Sequence, residues 1–482
     1  MNINRSLSIL VLLLFAVTSA CGKKSTVTPT LSVSLAEITF QPEGGNADVT
    51  ISSNVDWDIT NTASWLQASQ ATGKSGEASI RLSAAANTTG ATRTAILQVN
   101  AGNSQVRRIS VSQGSSRYPN YNTSPKPADA TGMQSNAVQL AAKFKLGWNI
   151  GNTLEAIGGE TAWGNPLISE SYIQGVKQQG FNAIRLPCSW NQHADKTTGK
   201  IQDAWLERVK QVVQYCVNND MYVMLNIHWD GGWLDDNITK AKQDEVNAKQ
   251  KAFWEQIATT MRDFDEHLMF ASANEPPVDN AEKMEILKSY HQTFINAVRS
   301  TGGRNSYRVL IIQGPATDIE KTSVLMTSLP TDAVKDRLMV EVHYYTPSQF
   351  CLLLDGDASW GKMFYYWGAG HHSTIEPERN ATWGEESEVD RLFAKMKTQF
   401  TDKQIPVILG EYGAYRRDKS KYVPKDLATH NDAVDYWLTY VTRAAVANGV
   451  KPFYWDTGGA LDRRNNTVLD QRTINALLAG GN

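Results

Sequence analysis

Beyond Met133 the hydrophobic period of the chain changes over and over: short apolar runs alternate with amphipathic helical stretches. Runs at 145–149, 181–186, 222–227, 268–273, 308–312, 338–342, 406–409 and 451–455 read as strands. The patterns at 205–217, 248–264, 282–299, 389–399 and 432–448 read as helices. Strands that alternate with helices bury both faces of a parallel sheet. Eight such units in about 350 residues predict a (β/α)8 TIM barrel with long loops. A doubly wound sheet is disfavoured, because no G-x-G-x-x-G follows the first run.

Barrels of this kind carry their sites where the strands end. Asn149 closes the first run, Arg185 the second, His228 the third, Asn274 and Glu275 the fourth, His343 and Tyr345 the sixth, Glu411 the seventh and Trp455 the eighth. One polar strand end means little, since strand ends face solvent; agreement across seven strands points to a site. Glu275 and Glu411 stand on opposite sides of the expected mouth. Glycosidic cleavage needs such a pair, one carboxyl to protonate the leaving oxygen and one to attack the anomeric carbon. The bland reading is two surface glutamates. Arg185 could be a structural ion-pair residue, yet a fixed guanidinium also keeps a carboxylate ionised and aimed. A lone histidine is most often a satisfied core residue; two at strand ends, His228 and His343, favour the site.

Charge and cysteine usage narrow the function class. Lys+Arg 47 against Asp+Glu 49 gives a net charge of -2, so no broad basic field exists for nucleic acid. No H-E-x-x-H, C-x-x-C or G-x-S-x-G occurs, which disfavours zinc and serine hydrolases; neither metal nor cofactor is expected. His371-His372 reads as a solvated loop pair. Cys188, Cys216 and Cys351 read as buried, inert thiols. Arg5 and the apolar run 7–17, too short to span a bilayer, read as a signal peptide over 1–20. Thr18-Ser19-Ala20-Cys21 resembles a bacterial lipobox, which implies a lipidated Cys21, a tether over 21–30 and a monomer held at the cell surface in the outer membrane of a Gram-negative bacterium.

Residues 31–114 alternate with period two, as at Val49 and Ile51, Ile80 and Leu82, Leu97 and Val99, and predict a small β-sandwich without a titratable cluster. The stretches 54–59, 63–66 and 84–95 resemble the BACON domain of Bacteroidetes proteins, a family named for a proposed carbohydrate-binding role. Trp57 and Trp65 read better as core residues, and the module as a spacer. Pro119, Pro125 and Pro127 make 115–132 read as a semi-rigid linker to the catalytic domain at 133–482.

Leu146-Gly147-Trp148-Asn149-Ile150-Gly151-Asn152-Thr153-Leu154-Glu155, Glu160-Thr161-Ala162-Trp163-Gly164-Asn165-Pro166, Ala273-Asn274-Glu275-Pro276 and Ile408-Leu409-Gly410-Glu411-Tyr412-Gly413 together resemble glycoside hydrolase family 5, most closely its subfamily 4. The resemblance implies a retaining β-glycanase with Glu275 as acid/base and Glu411 as nucleophile. It further implies that Asn274 bonds the sugar 2-hydroxyl, that Arg185 and Tyr345 position Glu411, that His228 and His343 line the subsite at the scissile bond, and that Trp455 supports the ring there. Asn149 joins them as a substrate-binding candidate. Many relatives have His-His where this chain has His228-Trp229, so Trp229 alters one wall.

Trp163, Trp233, Trp360, Trp367 and Trp383 fall after strands, where two or three flat indoles are expected to stack on pyranose rings. The segment 358–368, with the tether and the spacer, resembles surface lipoproteins that cut xyloglucan. The expected partner is therefore a polysaccharide, xyloglucan or another β-1,4-glucan. Cellulase, mixed-linkage glucanase, xylanase and mannanase remain alternatives, as does a non-catalytic glycan-binding lipoprotein, against which the presence of both glutamates argues.

Overall fold

The computed structural model describes residues 27–87, 89, 91–103 and 105–482. The predicted signal peptide and Cys21 lie outside the described residues. The chain divides after Ser115 into two compact units.

The first unit is a sandwich of a four-stranded and a five-stranded sheet. Gly45–Ser53 and Gly76–Ala84 pair antiparallel along their whole length, and Arg93–Ala101 does the same with Gln105–Gln113. Because side chains alternate along a strand, Val49, Ile51, Ile80 and Leu82 of one sheet meet Leu97, Val99, Ile109 and Val111 of the other. Trp57 belongs to this core, 3% exposed. Gly73 makes room for it: a Cβ there would lie 2.1 Å from the indole. Trp65 is partly buried, with the Arg93 guanidinium 4.4 Å above its ring.

The second unit is the predicted barrel. Its strands are β1 (Gly147–Ile150), β2 (Ala183–Leu186), β3 (Tyr222–Asn226), β4 (Leu268–Ala271), β5 (Leu310–Asp318), β6 (Leu338–Tyr344), β7 (Val407–Tyr412) and β8 (Val450–Asp456). They close in sequence order, with β8 parallel to β1 and Trp455 opposite Asn149. Among the described residues each strand is followed by a helix: α1 (Glu170–Gln178), α2 (Asp203–Asn218), α3 (Gln243–Thr260), α4 (Ala281–Ser300), α5 (Ile319–Leu325), α6 (Glu386–Gln399), α7 (Leu427–Ala447) and α8 (Gln471–Gly481).

Strand alternation sorts the apolar residues into two cores. Outward-facing Trp148, Ile184 and Leu225 pack beneath the helices. Inward-facing Ala183, Met224, Met269, Ile311, Met339, Ile408 and Phe453 fill the barrel floor, joined there by Leu140 and Phe144. Phe453 leaves no space for a side chain at Gly147, whose Cβ would lie 2.1 Å from its ring.

The stretch expected to be a linker is largely laid against the barrel unit instead. The Tyr121 amide donates to Glu255, the Asn122 amide nitrogen to the Ser300 carbonyl, and Lys126–Ala128 pairs in parallel with Gly302–Gly303. Prolines made this segment read as a semi-rigid linker; its backbone groups find partners on the barrel surface.

Candidate active site

On five of the eight strands the inward position one step above the apolar floor is polar: Asn149, Arg185, Asn226, Gln313 and Glu341. Arg185 lies two residues past Ala183 on the same face of β2, wholly buried. A buried guanidinium must be met by acceptors, and three strands and the segment after β4 supply them. Nε donates to Glu341 (2.9 Å), Nη1 to Glu411 (2.8 Å) and to the Asn149 side-chain oxygen (3.1 Å), and Nη2 to the Asn274 side-chain oxygen (2.8 Å). Glu341, also fully buried, accepts from Gln313 (2.5 Å) as well. The glycine at position 410 is forced by this carboxylate: a Cβ there would come within 2.0 Å of it.

Above Glu341 on β6 stands His343. The ladder between β6 and β7 slips between Val342 and His343, which sets His343 opposite Glu411. Such irregularities re-aim side chains near sites. Nδ1 of His343 is 2.7 Å from Glu275 and 3.7 Å from Glu411, and Nε2 is 3.2 Å from Glu341. Burial alone would lower its pKa, but the Glu411 charge and the bonds to Glu275 and Glu341 push it up to about 9, so the ring is an imidazolium at neutral pH. The Tyr345 hydroxyl donates to the second oxygen of Glu411 at 3.1 Å, and burial keeps it a neutral phenol.

The two glutamates sit in unequal surroundings. The Glu411 side chain is 7% exposed and ringed by Arg185, Tyr345 and His343; that of Glu275 is 47% exposed and open to the cleft. Burial pushes the Glu411 carboxyl up, with His343 and Arg185 pulling against it. For Glu275 the upward push of burial is outweighed by the His343 hydrogen bond and by the charges of His343 and Arg185, which hold it below the usual value. In the open cleft the proton of the 2.7 Å contact therefore rests on His343. One oxygen of each glutamate and a ring nitrogen of His343 lie within 4.8 Å of one another.

His228 faces Trp455 with its ring nearly parallel, 10° and 6.0 Å between centroids. Burial, then Arg185 and His343, hold it well below its ordinary pKa, so it is a neutral ring that takes the Asn226 amide at 3.2 Å. A cavity of about 670 Å³ opens from Glu275 and Glu411 past Tyr345 and Trp455.

Two sequence expectations need correction. Asn149 is fully buried and spends its amide on the Gly410 and Phe453 carbonyls, so it supports the floor and cannot touch a sugar. Trp367 is a core residue, fully buried, with its indole NH on the Gly384 carbonyl and its ring against Tyr436 and Tyr440. Trp233 packs edge-on against Phe253, with Lys249 over its ring. Trp163, Trp360 and Trp383 keep open faces at 50%, 59% and 46% exposure, and so does Trp229 at 47%.

Sequence reasoning missed Glu341 and Gln313. Both had a legible signal: Glu341 is a charge inside an apolar strand, in phase with His343, and Gln313 closes the one run for which no site residue was named.

A TIM barrel with two carboxyls facing each other across its mouth is the frame of a glycoside hydrolase. Residues 149–460 match the family model described as cellulase, glycosyl hydrolase family 5, and residues 30–116 match that described as viral BACON domain. The chain belongs to glycosyl hydrolase family 5, among its endo-β-1,4-glucanases, and carries an N-terminal BACON domain. It is 33% identical over 469 residues to a xyloglucan-specific endo-β-1,4-glucanase of Bacteroides ovatus, covering 92% of this chain and 89% of that one. It is 34% identical to endoglucanase A of Paenibacillus barcinonensis over 73% of this chain and 92% of the other. A Bacteroides ovatus family 5 xyloglucanase solved with a XXXG heptasaccharide superposes with a TM-score of 0.70 at 30% identity, covering 94% of this chain and all of that one.

Proposed function

We propose that the protein is a retaining, surface-anchored endo-β-1,4-glucanase that cuts xyloglucan. The spacing of the carboxyls carries the mechanism. Retaining glycosidases hold their pair about 5–5.5 Å apart, whereas inverting enzymes leave roughly 6.5–9.5 Å for a water. Oxygens of Glu275 and Glu411 within 4.8 Å belong to the first class.

In the first step Glu411, aimed by Arg185 and Tyr345, attacks the anomeric carbon, while Glu275 protonates the leaving oxygen. The proton Glu275 needs already lies in its hydrogen bond with His343. A sugar that displaces water from this half-open carboxyl raises its pKa and draws the proton across; His343 stays behind as a neutral ring that can still donate from Nε2 to Glu341. In the second step Glu275 takes a proton from the water that frees the glycosyl group from Glu411. Asn274, its oxygen held by Arg185, has its NH2 to offer the 2-hydroxyl, and Trp455 supports the ring.

The xyloglucan assignment rests on the Bacteroides ovatus matches, a xyloglucan-specific endoglucanase by sequence and a family 5 xyloglucanase by structure, which cover 92% and 94% of this chain. Surface anchoring rests on the lipobox-like segment ending in Cys21; Cys21→Ala should move the protein from the membrane to the soluble fraction, and unchanged fractionation would remove the anchor. The testing experiment is initial rates on xyloglucan, mixed-linkage glucan, carboxymethyl cellulose and xylan, with NMR of the first-formed anomer. The expected result is the highest rate on xyloglucan and a β-configured product. A higher rate on the unbranched glucans makes the enzyme a general endoglucanase, and an α-product ends the retaining mechanism.

A further inference from the structure

The seam between β8 and β1, where the barrel closes, is also where the Trp455 ring is seated. The ladder runs from Gly147 opposite Phe453 to Ile150 opposite Asp456, and the Gly151 amide adds one more bond, to the Asp456 carbonyl at 3.0 Å. There the two chains part, and a strand end leaves main-chain groups without ladder partners. Arg463, in the loop between β8 and α8 and 5% exposed, supplies a further rung. Its Nη1 donates to the Gly151 carbonyl at 2.5 Å and its Nη2 to the Asp456 carbonyl at 2.7 Å. Asn165 adds a stitch beyond it, its amide nitrogen donating to the Asn152 carbonyl at 3.0 Å and the Thr457 carbonyl at 3.1 Å.

A buried guanidinium commonly takes a carboxylate in a two-pronged pair. Here the Asp456 carboxylate is engaged by the amides of Gly458, Gly459 and Ala460 and stands 3.5 Å from Arg463. The short bonds of Arg463 go instead to carbonyls at the ends of two strands, a span that its planar fork can bridge and a point charge cannot. Its Nε is buried without a hydrogen-bond partner, an unmatched donor that is costly and shows how firmly the two carbonyls dictate the orientation of the fork.

Both tied residues bear on the indole. Trp455 directly precedes Asp456, and its ring lies on the backbone of Gly151, where a Cβ would come within 2.7 Å of it. Gly151 lies outside the left-handed region, so it is the ring, and not the backbone, that excludes a side chain there. The same indole lines the 670 Å³ cavity with Glu275 and Glu411.

We infer that Arg463 is a positioning residue for the reaction: by tying the Gly151 and Asp456 carbonyls together it fixes the seat, and so the tilt, of the Trp455 ring under the sugar at the scissile bond. The inference rests on the reading of Trp455 as the support of that sugar and deepens it. A misplacement of about 1 Å can cost roughly a hundredfold in rate, so the seat of a ring that carries the reacting sugar has to be rigid.

The test is a double-mutant cycle in the full chain, with kcat/KM on the polysaccharide that the parent cuts fastest and the melting temperature both measured for Arg463→Met, Trp455→Ala and the pair combined. Arg463→Met keeps bulk and removes both bonds. It should cost about tenfold in kcat/KM when Trp455 is present and less than about threefold in the Trp455→Ala background, because a ring that is gone cannot be misplaced. The drop in melting temperature should be the same in both backgrounds. An Arg463 that only holds the fold together would cost the same activity in both, which overturns the inference; so does parental activity in Arg463→Met. Gly151→Ala keeps the test decisive should Arg463→Met fail to fold: it pushes the indole off its seat from the other side, and should also lose about tenfold, whereas parental activity would overturn the inference. Failure of the underlying reading looks different, since Trp455→Ala alone would then stay near parental activity.

Discussion

The two units of this chain both bury aromatic residues in β cores, yet only one does chemistry. In the sandwich, the inward positions in the middle of the sheets are apolar, with polar Ser53 and Gln113 buried at strand ends, and Trp57 ends as packing against Gly73. In the barrel the inward column of several strands changes character partway up, from Ala183 to Arg185 on β2 and from Met339 to Glu341 and His343 on β6. A closed barrel can afford this change. Its eight strands surround one axis, so a charge on any of them finds partners on several others, whereas opposed flat sheets offer a buried charge few acceptors. Reactivity here follows from a polar layer stacked on an apolar one, with acceptors converging from β1, β6, β7 and the segment after β4 on a single guanidinium.

The comparison breaks most severely at Glu341. Glu341→Gln keeps the shape but leaves Arg185 short of a counter-charge, and breaking a buried pair costs about 3–5 kcal/mol. Denaturant melts should show that loss, and kcat should fall with little change in KM, because Glu341 acts through Arg185 and His343 and touches no substrate. A variant as stable and active as the parent would show that the layer works without its central carboxylate.

A smaller effect sharpens the contrast through pH. The groups that act on His343 are Glu411, Glu275 and Glu341, and its charge in turn bears on His228. Its folded-state pKa of about 9 lies above the unfolded value of 6.5. The stabilisation is therefore complete below about pH 6.5 and is lost as pH rises through 9, with an upper limit of roughly 3 kcal/mol. Measured against His343→Gln, the stability advantage of the parent should shrink between pH 6.5 and 9.5. A constant difference over that range would mean that the ring is neutral in the folded protein.

The smallest effect belongs to the sandwich. Removal of 31–113 should leave kcat/KM on soluble polysaccharide within about twofold, since the module buries Trp57 and contributes nothing to the catalytic layer. A large rise in KM would make it a sugar-binding domain after all.

Much of this was legible in the chain itself. The switch between periods two and 3.6 determined the eight βα units, because each strand and helix declares which face it must bury. The strand-end rule gave Glu275 and Glu411, and the motifs around them gave the family. What a linear reading assigned wrongly was the depth of a side chain. Asn149 ends its strand as His228 does, yet it lies beneath the cleft. Trp367 shares its loop with the exposed Trp360, and the proline-rich approach to the barrel lies along its surface. Sequence fixes which face of an element a residue occupies, through local geometry. How far that residue stands from solvent depends on closure of the barrel, on the β6–β7 slip that brings His343 opposite Glu411, and on loops folding back over the mouth, all of which join residues far apart in the chain.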